Sequence, residues 1–321
     1  MNWGITPELG NRRILRPGKW LPARAIGWAI FLIFAIALAF GPGLETMTAA
    51  LPQRPAFQFV AQAVGACLVV GAYAVLVRLG EARGPSELAP RRALIEVVGG
   101  LLIGLAMFST VMAIMTGFGG YHVVYHGIAP AWHGAGLAIQ SAFLEEVLVR
   151  GVVLRLMWRA FGPVAAFAIS AALFGAGHIG NPGATWFTTI CIAVEAGVML
   201  GAFYALTGRL WVSIGVHAGW NFTQGYLFGA AVSGGDFGAS LATSTAQPRL
   251  PAWLTGGAFG PEASLPAFAV CLGVGALVLC LSWRAGRFHR GGSPGRNSEP
   301  TCNGRGEVGR DLNVDAHSTG S

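Results

Sequence analysis

Long apolar segments, separated by shorter polar ones, recur along most of the chain. A helix needs about 20 mostly apolar residues to cross the hydrocarbon core of a bilayer, and eight segments come close to or exceed that length. The pattern therefore predicts an all-α fold, a polytopic membrane protein with about eight transmembrane helices. The predicted spans cover residues 25–41, 57–79, 94–117, 134–156, 162–179, 185–207, 209–230 and 265–283.

The composition agrees with a bilayer environment. The chain has 321 residues, of which 54% are hydrophobic and only 11% are charged, whereas soluble domains carry about 25% charged residues. The net charge of +7 does not indicate nucleic-acid binding, because the chain has one lysine and its arginines lie in short groups between apolar segments. The lipid bilayer is therefore the partner that the composition predicts.

Basic residues alternate between the connections that join the predicted spans. They concentrate in the N-terminal segment, in the second, fourth and sixth connections, and at the start of the tail, whereas the odd connections are nearly free of them. The positive-inside rule then predicts a multi-pass protein of the cell membrane with both termini in the cytoplasm. The basic residues on this predicted cytoplasmic side are Arg12, Arg13, Arg16, Lys19, Arg24, Arg78, Arg83, Arg91, Arg92, Arg155, Arg159, Arg209, Arg284, Arg287 and Arg290.

The pattern divides the chain into three parts. Residues 1–24 form a cytoplasmic N-terminal segment, residues 25–283 hold the spans, and residues 284–321 form a polar cytoplasmic tail. From Gly291 onward the tail has almost no apolar residues, so it is predicted to be disordered, since it cannot bury enough surface to offset its ordering entropy. The connection 231–264, rich in Gly, Ser and Ala, is predicted to be an irregular outer loop.

Charged residues inside the fourth predicted span require a reason. Each carboxylate or arginine at a helix centre costs about 2.5–3.5 kcal/mol on insertion scales, yet this span contains Glu145, Glu146 and Arg150. Glu146 and Arg150 are four residues apart, so they share a helix face and can pair. A salt bridge that only fixes packing would explain these two residues but would leave Glu145 unexplained.

Two further spans also carry polar residues on one face. The fifth span ends with Phe174 and His178, four residues apart, and the seventh contains His217 and Asn221 with the same spacing. A single histidine in a membrane helix is often a hydrogen-bonded packing residue. Three polar helix faces together predict a shared interior cavity instead, because polar groups at membrane depth face the bundle interior or water.

The predicted cavity supports hydrolysis of an amide by an activated water. A glutamate close to a neutral histidine can take a proton from water, while a histidine and an asparagine can donate hydrogen bonds to a developing oxyanion. A glutamate and two histidines could equally hold a divalent metal such as zinc, which leaves one position for water. The residues alone do not distinguish the metal-assisted site from one without a cofactor.

Three short motifs resemble those of a known family. The sequences EEVLVR (Glu145–Arg150), FGAGH (Phe174–His178) and HAGWN (His217–Asn221) fit the patterns EExxxR, FxxxH and HxxxN. Their order and spacing resemble the CAAX-protease and bacteriocin-processing family of intramembrane proteases (CPBP or Abi), which includes the type II CAAX prenyl endopeptidases. The resemblance implies an α-helical protease domain over 25–283, with its motif core at 134–230.

The resemblance also implies a role for each motif residue. Glu145 would activate the water with help from His178, and His217 and Asn221 would stabilise the oxyanion. Members of this family are often called metalloproteases, although their need for metal is contested. The candidate metal ligands here would be Glu145, His178 and His217.

Glu146 and Arg150 would have supporting roles in the same site, in orientation or in contact with the substrate. The expected reaction is cleavage of a peptide or of a membrane-anchored or lipid-anchored protein, and the sequence does not specify the substrate or the oligomeric state. Two other functions stay open on the residues alone: a transporter with an intramembrane Glu/His relay, and a non-catalytic immunity or scaffold protein.

The depth of the fifth span does not fit this site directly. With a rise of 1.5 Å per residue, a span that starts at Gly162 places His178 at a different level from Glu145 and His217. The levels agree only if the span starts submerged, is strongly tilted or bends back near 175–183.

Three polar residues lie outside the motifs. Glu195 in the sixth span could be a second partner of the site or a buried neutral acid, and we favour the buried acid. His122 and His126, in the third connection, have a spacing that would suit a metal ion on a helix, but no acidic residue is near them.

The alternation of basic residues generates a topology prediction. Reporter domains fused after Arg92, Arg159 and Arg290 should all lie in the cytoplasm, and reporters fused near Gly120 and Gly235 should lie on the opposite side. Reporter activity in whole cells measures this directly. One reversed fusion would remove a span from the predicted topology.

Overall fold

The computed structural model describes residues 4–52 and 54–288, and it places a helix at each of the eight predicted spans. Five helical segments among the described residues are long and apolar enough to cross a membrane. The prediction of an all-α, polytopic membrane protein is confirmed. The three helices that precede the motifs are α1 (Leu21–Ala50), α2 (Pro55–Glu81) and α3 (Ala93–Gly117).

Several of the remaining helices continue through π-helical segments and so form longer helical runs. The first run joins α4 (Trp132–Glu146) through a π-helical segment, Val147–Leu154, to α5 (Arg155–Phe161), and is followed by α6 (Pro163–Gly177). The second run joins α7 (Trp186–Ile192) through the π-helical segment Ala193–Leu200 to α8 (Gly201–Thr207). The remaining helices are α9 (Trp211–Phe222), which continues as the π-helical segment Thr223–Leu227, then α10 (Ala252–Thr255) and α11 (Leu265–Arg284).

The π-helical segments bear on function. A π-helical turn holds one more residue than an α-helical turn and therefore re-aims the side chains around it, and such turns occur frequently at functional sites. Arg150 lies in the first segment, Glu195 lies in the second, and the third begins two residues after Asn221. In each of these three helical runs, the winding thus departs from an α-helix at or close to a polar residue of the interior.

Glycines bring α3 and α9 into backbone contact. A Cβ atom added at Gly100 or Gly104 of α3 would collide with backbone atoms of α9, and a Cβ added at Gly215 or Gly219 of α9 would collide with those of α3. Small residues allow membrane helices to approach this closely. The contact fixes α9, the helix that carries His217 and Asn221.

The third and seventh connections pair with each other in a small sheet. Strand β1 (Tyr121–Tyr125) pairs antiparallel with β2 (Ala242–Ala246), with Tyr121 opposite Ala246. The prediction of an irregular loop over 231–264 is therefore wrong in part, because this pairing satisfies backbone groups of both connections.

The geometry of strand β1 also excludes a metal site formed by His122 and His126. His122 lies opposite Thr245, and the His126 ring bonds the Thr243 hydroxyl at 2.8 Å. Residues four apart on an extended strand are about 13 Å apart at about 3.3 Å per residue. The two histidines are therefore too far apart to share a metal ion.

A buried ionic network closes the bundle beneath α5. Arg155 is fully buried and donates to the two oxygens of Glu81 at 2.8 and 2.7 Å, while Arg83 donates to both oxygens of Glu87 at 2.8 Å. The Tyr73 hydroxyl donates to the Gly151 carbonyl, inside the first π-helical segment, at 2.9 Å. Arg83 and Arg155 are thus paired in the structure, whereas the sequence pattern treats them only as orientation charges.

The two described ends of the chain lie side by side. Arg287 donates to the carbonyl of Gly4 at 2.9 Å, and the ring of Phe288 stacks on Trp158 with centroids 5.6 Å apart. The first residues of the segment predicted as a tail are therefore packed. The rest of that segment, 289–321, with its predicted disorder, lies outside the described residues.

The ionic network generates a stability prediction. Arg155→Ala leaves Glu81 buried without this partner, and breaking a buried pair in this way destabilises a protein by about 3–5 kcal/mol. We expect a clear fall in the thermal unfolding temperature in detergent. Arg78→Ala is the matched control, since Arg78 is exposed. Equal unfolding temperatures for the two variants would contradict a structural role for the network.

Candidate active site

One cavity receives side chains from all three motifs. Glu145 from α4, His178 from the end of α6, and His217 and Asn221 from α9 all line it. The cavity also has apolar walls, formed by Phe174, Ile192, Met199, Leu200, Val216 and Trp220. Glu146 and Arg150 are buried behind this lining. The structure thus brings the six predicted site residues into one region.

The two adjacent glutamates have different environments. Glu146 is fully buried, and its Oε1 accepts hydrogen bonds from Arg150 Nη1 at 2.7 Å and from His217 Nδ1 at 3.0 Å. The Glu145 side chain is 31% exposed, and its Oε2 has no hydrogen-bond partner among the described residues. Glu146 is therefore committed to the protein, and Glu145 is available to a ligand.

His217 connects the two glutamates. Since a carboxylate only accepts, Nδ1 carries the hydrogen that faces Glu146, and Nε2 is the other ring nitrogen. Nε2 lies 3.9 Å from Glu145 Oε2, which is too long for a direct hydrogen bond. A water molecule at ordinary hydrogen-bond distance from both atoms fits this spacing.

Helix α6 is short and leads directly to His178. The helix has 15 residues and ends at Gly177, immediately before His178, so at 1.5 Å per residue it is only about 22 Å long. His178 Nδ1 donates to the Phe174 carbonyl at 2.8 Å, and the two rings are in tilted contact with centroids 4.8 Å apart. The histidine therefore lies in the turn that follows α6, and that turn delivers it to the cavity.

Arg150 holds the motifs together. It is fully buried, binds Glu146, donates Nη2 to the carbonyl of Ala196 in the second π-helical segment, and lies 5.0 Å from the centre of the Phe174 ring. Phe174 thus lies against both Arg150 and His178. One arginine fixes the relative positions of α4, α6 and the second π-helical segment.

Asn221 has a partner that the sequence analysis leaves unassigned. Its Nδ2 donates to Ser141 Oγ at 3.1 Å, which orients the carboxamide. Ser141 lies four residues before Glu145 on the same helix, so the helical spacing could have indicated it.

Two acids outside the motifs also line the cavity. Glu195 is 3% exposed, and its Oε1 has no hydrogen-bond partner among the described residues. Glu262, which the sequence analysis missed, accepts from the backbone N–H and the hydroxyl of Ser233, both at 2.7 Å. Burial raises the pKa of the Glu262 carboxyl above its ordinary value. The connection 231–264 contains two acidic residues, and their position in this sparsely charged stretch was the sequence signal that could have indicated Glu262.

The donor geometry does not fit a bound metal ion. Among the described residues, no group of three or more His, Cys, Asp or Glu side chains is arranged to hold one, and this includes Glu145, His178 and His217. The chemistry that these residues support is therefore that of water and the side chains alone.

The position of Arg150 generates a prediction on folding. Arg150→Ala leaves Glu146 buried without its cation, so we expect strongly reduced accumulation in the membrane, in line with a cost of several kcal/mol. The double variant Glu146→Gln with Arg150→Met removes both charges and should accumulate better than Arg150→Ala. Immunoblots of isolated membranes measure this, with the exposed Arg249→Ala as control. Normal accumulation of Arg150→Ala would show that the pair is dispensable for folding.

Comparison with known proteins agrees with the motifs. Residues 127–223 match the family model described as Rce1-like, type II CAAX prenyl endopeptidase Rce1-like. No curated protein and no solved structure matches the chain. The matched segment contains all three motifs, so the resemblance seen in the sequence is confirmed. Residues 127–223 of this membrane protein are thus similar to the Rce1-like family of type II CAAX prenyl endopeptidases.

Proposed function

We propose that the protein is an intramembrane endopeptidase that hydrolyses a peptide bond of a membrane-associated or lipid-anchored substrate with an activated water. The observation that carries this proposal is the convergence of Glu145, His178, His217 and Asn221 on one cavity. If these four side chains only fixed the packing of the helices, they would not need to line one cavity. Glu145 Oε2 would also not need to lack a hydrogen-bond partner there.

Glu145 is the general base. Its Oε2 is free of protein partners and lies where one water can contact both this oxygen and His217 Nε2. His178 assists, since its Nδ1 hydrogen is given to Phe174 and its Nε2 can accept a hydrogen bond from water. As the water oxygen attacks the scissile carbonyl carbon, Glu145 takes one water proton. Such a base contributes about 10²–10⁴-fold to the rate.

His217 and Asn221 stabilise the oxyanion that the attack creates. With Nδ1 bonded to Glu146, His217 donates through Nε2 in its imidazolium form, and the buried Glu146 carboxylate compensates that positive charge. Asn221 uses one N–H on Ser141 and has a second N–H for the oxyanion. One such donor contributes about 10²–10³-fold.

The serines near the site have other partners. Ser213, four residues before His217, is buried and donates to the Leu200 carbonyl at 3.0 Å. Ser141 accepts from Asn221. Neither arrangement pairs a serine hydroxyl with a histidine, so activated water is the better nucleophile.

The substrate follows from the walls of the cavity and from the family. Phe174, Ile192, Met199, Val216 and Trp220 offer apolar surface beside the polar groups, which suits an apolar side chain or a lipid anchor next to the scissile bond. A prenylated C-terminal tail is the substrate class that the family description names. We place both termini in the cytoplasm, because the arginine pattern predicts it and the contact between Arg287 and Gly4 requires one common side.

Substitution of Glu145 tests the proposal. Glu145→Gln keeps the shape of the side chain and removes its capacity to take a proton, so turnover should fall about 10²–10⁴-fold while accumulation stays normal. The assay is cleavage of a fluorescence-quenched prenylated peptide by protein in lipid nanodiscs, with turnover expressed per folded molecule.

The control for this variant is Glu45→Gln, which changes an exposed glutamate of α1 and should leave turnover unchanged. The same peptide without its prenyl group shows whether the lipid contributes to binding. If Glu145→Gln cleaves the prenylated peptide at the wild-type rate, Glu145 is not the base and the proposed mechanism is incorrect.

A further inference from the structure

The proposed mechanism leaves one chemical requirement unmet. When the tetrahedral intermediate collapses, the C–N bond breaks and its electron pair stays on nitrogen. An amide anion is too basic to leave, so an acid must give this nitrogen a proton. Glu145 has taken up the water proton in the first step, and His217 and Asn221 serve the oxyanion, so a second acid in the cavity could supply the nitrogen independently of Glu145.

Glu195 is placed for this role. It lines the same cavity as Glu145, His217 and Asn221, and it is 3% exposed. Its Oε1 lacks a hydrogen-bond partner among the described residues. An ionised carboxylate in such a place is costly because nothing compensates its charge, whereas the neutral carboxyl group carries an O–H that it can donate.

The backbone of Glu195 is fixed relative to the motif residues. The carbonyl of the next residue, Ala196, accepts a hydrogen bond from Arg150. Arg150 binds Glu146, and Glu146 binds His217. This continuous chain of hydrogen bonds holds the π-helical segment Ala193–Leu200 against the base and the oxyanion donors.

The other acid of the cavity is already committed. Glu262 Oε1 accepts two hydrogen bonds from Ser233, which ties the two ends of the connection 231–264 together. Both bonds favour the ionised form of this carboxyl group, which opposes a role as proton donor. Glu262 therefore serves as an anchor, and Glu195 keeps an uncommitted oxygen.

We propose that Glu195 is a further catalytic residue, the general acid that protonates the departing amine. This inference rests on the proposed endopeptidase activity. Glu145 takes a proton from the attacking water, and Glu195 gives its proton to the nitrogen as the C–N bond breaks. Glu145 then returns its proton to Glu195 through water, which leaves a carboxylic acid, an amine and the original enzyme.

The test compares two substrates with the same acyl part. One is the prenylated peptide amide, and the other is an aryl ester, whose phenolate leaves without a proton. Glu195→Gln preserves the size of the neutral side chain and removes the acid. We expect the amide-to-ester ratio of kcat to fall about 10²–10⁴-fold relative to wild type. Glu145→Gln should slow both substrates, and Glu45→Gln neither.

The outcomes separate a catalytic role from a structural one. An equal loss on both substrates, or no loss on either, would overturn the proposal for Glu195. Full activity of Glu145→Gln would instead overturn the endopeptidase mechanism itself. As a second variant, Glu195→Ala should regain amide cleavage when formate is added, because a small acid can occupy the vacated space. Failure of formate to restore cleavage, while ester turnover shows that the variant is folded, would also count against the proposal.

Discussion

The buried carboxylate of Glu146 is the interaction on which the site depends. It accepts hydrogen bonds from Arg150 and His217 and so joins α4 to α9. Arg150 extends the connection to the Ala196 carbonyl and to the Phe174 ring, which also contacts the His178 ring. A buried ion pair contributes little net stability when intact but is costly to break. Here the effect of the ion pair is geometric, since it sets the relative positions of the three motifs.

This arrangement explains why the motif has two glutamates in a row. Neighbouring residues point about 100° apart around a helix, so one side chain can face the protein while the next faces the cavity. Glu146 is fully buried and paired with Arg150, whereas the Glu145 side chain is 31% exposed and lines the cavity. One carboxylate can therefore serve as structure and the other as reagent, because their environments differ although their chemistry is the same.

Local sequence patterns predicted the helices and the short-range pairs of this protein. They did not predict the contacts between residues that are far apart in the chain. Each of the eight predicted apolar spans contains a helix, and the spacing of four predicted the Glu146–Arg150 pair, because both signals are periodic and local. The pairing of Arg155 with Glu81 joins residues 74 positions apart, and the β1–β2 pairing joins two separate connections. The end of α6 immediately before His178 was also beyond these patterns, because the glycines near 175–183 permit a turn there but do not determine one.

The cavity is completed by a part of the chain outside the family match. The match ends at residue 223, yet Ser233 and Glu262 both line the cavity and bond each other. Close packing extends this contact, since a Cβ atom at Gly183 would collide with the backbone of Phe259, and Phe259 packs in one cluster with Phe174. The turn that carries His178 therefore rests on the connection 231–264. The motif residues and this connection therefore form one cavity together, and the packing of the connection shapes the space around the motif side chains.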